Sequence, residues 1–277
     1  MIPSSIGLMA DSGGGKTTQI GELAKVMFRD ERKKTLLIAA DLGGHESIRP
    51  HQRVGIIDVH EIEQADDPFE WINDATSGKL LTEDHGLIAF DSGTSIGEAL
   101  LNAITKDPAQ IGQQKTQKFR VGAKKELVVG ANNESHYGLV QGFLLDQIWR
   151  STWLTRKGVT VLWTFGLDRA EKADQTPIVG PKLVGHALTS SIPKWFNYFW
   201  RLAVIPVPGQ PARHQLYLQA QPEFAGTGLT FGNSRYPLDA TSVLPAIIEP
   251  ASIAEALAII ALGQQEAEDN LRRELGL

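Results

Sequence analysis

Residues 5–30 read SIGLMADSGGGKTTQIGELAKVMFRD. The first six, 5–10, form an apolar run of the kind a buried strand needs. Ile20, Leu23, Ala24 and Met27 then recur at three- and four-residue spacing, the period of one buried helix face. Between strand and helix lie three consecutive glycines and Lys16-Thr17-Thr18. Small residues let successive backbone N–H groups converge on one point, and the helix N-terminus adds partial positive charge there, a combination that holds phosphate.

Ala10 to Thr17 fits P-loop spacing, with Ala10 where the first glycine is usual. Asp11, Ser12, Gly13, Gly14, Gly15, Lys16, Thr17 and Thr18 are therefore the expected nucleotide-binding residues. Lys16 would reach the β- and γ-phosphates and Thr17 would ligate Mg²⁺. Such a site calls for a second apolar strand ending in a carboxylate that holds the magnesium, and GLIAFD (86–91) supplies Asp91, acting through water. No Asn-Lys-x-Asp stretch follows a later strand, so the expected cofactors are ATP and Mg²⁺ rather than a guanine nucleotide. Hydrolysis also needs a group that orients or deprotonates water. Asp41, at the end of KTLLIAAD (34–41), and Glu46 are the candidates, each with a capping or solvated carboxylate as the alternative.

Around this nucleus, strands at 34–41, 54–59, 86–91 and 159–164 alternate with helical stretches at 68–77, 95–104 and 136–157. The alternation predicts an α/β fold, a mostly parallel sheet flanked by helices. After about residue 198 the pattern changes. YFWRLAVIPV and RHQLYLQA, separated by PGQPA, read as antiparallel strands, and 251–275 reads as an amphipathic terminal helix with Ser252 as N-cap. The aromatics of KWFNYFW (194–200) lead straight into a strand and are expected in the core.

The 277 residues contain no cysteine, so disulfides and thiolate metal sites are excluded. No apolar run approaches the length of a membrane span, and a cytoplasmic protein with no membrane partner is expected. With 27 Lys plus Arg against 32 Asp plus Glu, the net charge of -5 gives the whole molecule no attraction for nucleic acid, so any such contact must come from a local patch.

The order of P-loop, acidic strand end, Asp-ending strand, SHYGLV (135–140), VTVLWTF, GPKLVGHAL and FWRLAVI resembles the RecA-type core. It is most similar to phage-encoded RecA-like P-loop ATPases of the AAA/RecA type, associated with recombination and single-strand annealing. The resemblance implies an ATPase core over 1–245 with a C-terminal helical extension over 246–277, acting as a homo-oligomer, ring or filament, on single-stranded DNA. It implies two DNA-facing loops, 105–134 and 166–185. Lys115, Lys118, Arg120, Lys124 and Lys125 in the first give the local basic excess a patch binder needs. By the same resemblance Arg235 in GNSRYP would be a finger reaching a neighbour's γ-phosphate. Where the RecA pattern has a polar pair sensing γ-phosphate, this chain has Thr164-Phe165, of which only Thr164 can donate a hydrogen bond. An ATP-switched interaction protein with slow hydrolysis and no DNA binding is the alternative function, and a small-molecule kinase a third.

Overall fold

The computed structural model describes residues 2–40, 44–62, 66–106, 115–121, 125–131, 134–171, 177–184, 192–218 and 245–275. Strand β1 (Ser5–Ala10) passes through the glycines into helix α1 (Lys16–Glu31), and β2 (Lys34–Ala39) follows. After a short helix α2 (Arg49–Arg53) come β3 (Ile57–Glu61), α3 (Pro68–Ser77), β4 (His85–Asp91) and α4 (Gly93–Lys106). A two-stranded antiparallel ribbon, β5 (Lys115–Val121) and β6 (Lys125–Ala131), leads to α5 (Glu134–Thr152). The chain then forms β7 (Thr160–Glu171), β8 (Pro177–Lys182), β9 (Tyr198–Ile205), β10 (Arg213–Tyr217), β11 (Ile247–Ile248) and α6 (Ile253–Leu275).

The main sheet runs β11-β10-β9-β1-β7-β4-β2-β3, with β8 paired to β7. The six consecutive strands from β9 to β3 are parallel, while β10, β11 and β8 pair antiparallel. This is the architecture the sequence led us to expect: a mostly parallel sheet with flanking helices, antiparallel strands toward the C-terminus and a terminal helix.

Period-2 alternation sorts the strand residues onto two faces. Leu37, Ala39, Leu87, Ala89 and Leu162 join Ile20, Leu23 and Met27 of α1 and Ile253, Leu257 and Ile260 of α6 in one core. Leu36, Ile38, Ile88, Phe90 and Trp163 join residues of α3, α4 and α5 in the other. Because both faces are covered, β1, β2 and β4 are apolar at most positions, which is why they were conspicuous in the sequence.

Some boundaries differ from expectation. The strand expected at 54–59 begins at Ile57, because Val54 caps α2 and Gly55, at φ 76°, turns the chain first. The helix expected at 136–157 ends at Thr152 and tightens into a 3-10 turn, Trp153–Lys157, closed by Gly158 in the left-handed region. The two segments expected as loops contain strands. Much of 105–134 is the β5–β6 ribbon, in which Lys118 pairs with Val128 and Arg120 with Glu126. The 166–185 segment continues β7 beyond the parallel sheet and returns as β8. Its charged residues had disguised an antiparallel hairpin, because an arm that leaves the covered sheet has no need to be apolar.

Terminal helix α6 begins as predicted, with the Ser252 hydroxyl accepting from the Glu255 amide at 3.1 Å. Its start is also tied to α1. The Gln19 side chain donates to Ala251 O at 2.8 Å and accepts from the Ile253 amide at 3.0 Å. No helix among the described residues is long and apolar enough to cross a membrane.

Candidate nucleotide site

Gly13 and Gly15 sit at φ 72° and 93°, conformations that a side chain would strain. Gly14 is excluded from bearing one by space: a Cβ there would lie 2.9 Å from both Ala10 Cβ and Asp11 O. These constraints swing the chain from β1 into α1 with Gly15 as the N-cap, no side-chain cap and no acidic residue in the first turn. No side-chain cap takes up the first-turn amides, and the first turn carries no acidic residue of its own to offset the helix's partial positive charge.

The Lys16 ammonium folds back onto the loop, 3.4 Å from Ala10 O and 3.2 Å from Asp11 O. The Thr17 hydroxyl donates to Asp91 Oδ2 at 2.6 Å. On the other side of the carboxylate, the Thr164 hydroxyl donates to Asp91 Oδ1. Topology makes this possible, because β7 lies between β1 and β4 and the register sets Phe90 opposite Trp163, so the next residues on each strand meet. Thr164 is fully buried and Asp91 8% exposed, so the carboxylate presents little beyond one edge.

Asp91 and residues Ser12 to Thr18 line a cavity of about 730 Å³, completed by Ser47, Ser92, Thr94, Ser95, Glu98, Gly166, Leu167 and Lys182. Its size suits a nucleotide's phosphates and sugar. Among the described residues no cluster of three or more His, Cys, Asp or Glu side chains forms a metal cage. A hydroxyl bonded to one carboxylate beside a phosphate cradle fits magnesium instead, which takes few protein ligands and completes its shell with phosphate oxygens and water. Lys16, Thr17 and Asp91 are the residues that would hold a nucleotide's phosphates and a magnesium ion, which when bound would supply charge neutralisation there.

The other expected site residues fall in several places. Asp11, Ser12 and Thr18 are exposed at the loop. Glu46 is exposed in a 3-10 turn and pairs with Arg49 at 2.5 Å, while its neighbour Ser47 lines the cavity. Asp41, Lys124 and Arg235 lie outside the described residues. Lys115, Lys118 and Arg120 lie on β5 and Lys125 on β6. Thr164 contacts Asp91 rather than the cavity, and Phe165 is buried among Trp163, Phe196 and Phe199. Tyr198, Phe199 and Trp200 are core residues, as expected for 194–200. Sequence reasoning missed Thr94, Ser95, Glu98 and Lys182 as cavity residues. The first three follow Asp91 within seven positions at a helix start, a signal that was available. Lys182 gave none beyond being one cation among several charges.

No family model matches the chain, and no curated protein matches it. Among solved structures it is similar to a KaiC-like protein from the hyperthermophilic archaeon Pyrococcus horikoshii. The identity is 11% and the TM-score 0.41, over 84% of this chain and 82% of the other.

Proposed function

We propose that this protein binds Mg²⁺-ATP and hydrolyses it, and that it does so as a RecA-like homo-oligomeric ATPase on single-stranded DNA, in phage-type recombination, repair or replication. One observation carries the nucleotide part. Thr17 of the phosphate loop and Asp91 of a different strand are hydrogen-bonded at 2.6 Å beside uncapped helix amides. A glycine-rich turn of purely structural use has no reason to bring a threonine to a buried carboxylate 74 residues away.

In this reading the α1 amides and Lys16 hold the phosphates, Thr17 and Asp91 orient the metal and its water, and Thr164 keeps Asp91 from rotating. Asp41 or Glu46 would orient the attacking water, and Arg235 of a neighbouring copy would complete the site in trans. The DNA part is supported by the RecA-type order of motifs and by the basic residues of 115–125 in a chain of net charge -5. A second reading, an ATP-switched interaction protein, is favoured by Phe165, which is fully buried where a polar sensor would be needed to link hydrolysis to DNA.

The test is ATPase rate with and without single-stranded DNA across protein concentration. A DNA-stimulated rate that rises more steeply than protein concentration supports the leading reading. A slow rate indifferent to DNA and concentration favours the switch, and absence of any nucleotide binding refutes both.

A further inference from the structure

We propose that Lys182 is the residue by which this protein distinguishes a nucleoside triphosphate from a diphosphate, and that it carries this information into the β7–β8 hairpin. The inference rests on the nucleotide-site reading above and adds a residue that neither the P-loop nor Asp91 implies.

Lys182 comes from the returning arm of the hairpin, far in sequence from the glycines, yet it lines the same cavity as Ser12 to Thr18. Its course is built. Lys182 pairs with Gly166 across the hairpin, and a Cβ at Gly166 would lie 3.3 Å from Lys182 Cβ and 3.6 Å from Cδ. The aliphatic stem therefore lies along a strip of bare backbone. Thr94 pins both arms beside it: its hydroxyl donates to Lys182 O at 2.6 Å and accepts from the Gly166 amide at 2.9 Å. Thr94 is three residues from Asp91 at the start of α4, so the root of the hairpin is fixed to the strand end that holds the magnesium carboxylate.

The ammonium has a weak partner. Lys182 Nζ stands 3.8 Å from Glu98 Oε1, and the two side chains are 52% and 59% exposed. A pair that long and that wet holds little free energy, so exchanging Glu98 for a more strongly charged acceptor costs little. A terminal phosphate in the cavity is such an acceptor, and its contact with an ammonium is charge-assisted. Lys16 already answers the presence of phosphate as such. A second cation on a separate, pinned element can answer the third phosphate specifically, and when it leaves Glu98 the hairpin changes its electrostatic tie to α4. Phe165 on the outgoing arm cannot do this, being packed in the aromatic core.

The test compares Mg²⁺ complexes of a non-hydrolysable ATP analogue and of ADP by equilibrium binding, in wild type, Lys182→Ala, Lys182→Arg, Glu98→Gln and Lys16→Ala. Lys182→Ala should lower affinity for the triphosphate analogue about tenfold or more and shift ADP by less than about twofold. Lys182→Arg should retain most of the preference, and Glu98→Gln should strengthen triphosphate binding by removing the competitor. Hydrogen exchange over 177–184 should slow on adding the triphosphate analogue to wild type but not to Lys182→Ala. Equal losses for both nucleotides, no loss for either, or a Glu98→Gln variant that mimics Lys182→Ala overturns the proposal. If Lys16→Ala still abolishes binding in that case, the nucleotide site stands without it. Wild type that binds neither nucleotide removes both.

Discussion

Replacing Thr164 with valine probes the least obvious contact of the site. The two side chains have nearly the same shape, so packing at this fully buried position is retained while the donor to Asp91 Oδ1 is lost. A hydrogen bond to a charged acceptor is worth about 1.5–3 kcal/mol, and the oxygen left behind sits on a residue only 8% exposed, with little water to replace the donor. Urea denaturation of the nucleotide-free protein should therefore show a loss of about 2 kcal/mol at an unchanged denaturant slope. Asp91 should also rotate more freely about its remaining bond to Thr17. Titrating Mg²⁺ into protein with a fluorescent ATP analogue should then require about tenfold more metal for half-maximal binding, corresponding to about 1.4 kcal/mol. Thr164→Ser keeps the hydroxyl and should hold the metal dependence near wild type while losing about 1 kcal/mol for the missing methyl. If Thr164→Val loses stability but leaves the metal titration unmoved, Thr164 supports the fold and not the site. If neither changes, the contact carries no weight.

Other outcomes follow from separate features. A Cβ on Gly7 would lie 2.3 Å from Phe199 Cδ2, so Gly7→Ala should cost about 1–3 kcal/mol, and less in a Phe199→Leu background; equal penalties in both would mean that the clash is relieved elsewhere. Gln19→Leu strands the Ile253 amide and Ala251 carbonyl and should lower stability by about 1–3 kcal/mol, with protection of the α6 amides measured by hydrogen exchange falling first. His51 is packed against Gly21, and among the described residues neither ring nitrogen has a partner of good hydrogen-bond geometry; burial, then Lys25, hold its pKa below the ordinary histidine value, outweighing Glu22 and the Ile48 backbone. Since the unfolded chain protonates first, stability should fall as pH drops below about 6.5 until the folded-state pKa is reached, and His51→Leu should flatten that window; superimposable pH profiles would exclude this linkage. Replacing Lys115, Lys118, Lys124 and Lys125 together should weaken single-stranded DNA binding and reduce its salt slope, expected at about -2 to -3 in wild type, without changing basal hydrolysis.

What could be read in the sequence was what depends on covalent neighbours. The glycines, Lys16, Thr17 and the helix that follows are contiguous, and β4 announces itself as an apolar run ending in Asp91. Thr17 and Asp91 could be picked out as two residues that a P-loop reading sets at one magnesium ion, though not their direct hydrogen bond. The Thr164–Asp91 contact could not, since it depends on β7 being inserted between β1 and β4, a choice of strand order that no local pattern encodes. Lys182 was hidden for a related reason: its position is set by hairpin register with Gly166, and the alternating charges of that hairpin look like those of a solvated loop. Phe165 was legible as an apolar departure, but its reason, a place between Trp163, Phe196 and Phe199, exists only in three dimensions.

Those rings also act as a gauge. Phe90 and Trp163 stack at 4.0 Å and 10° on one side of the sheet, and the residues that follow them, Asp91 and Thr164, meet on the other. Flat rings in contact fix the height of one strand end against its neighbour as a shim fixes two machine parts. Asp91 is therefore levelled from behind, by rings that do not line the cavity. A smaller side chain at 90 or 163, neither of which lines the cavity, should shift the metal dependence of binding alongside a loss of stability of about 3–5 kcal/mol for the missing ring.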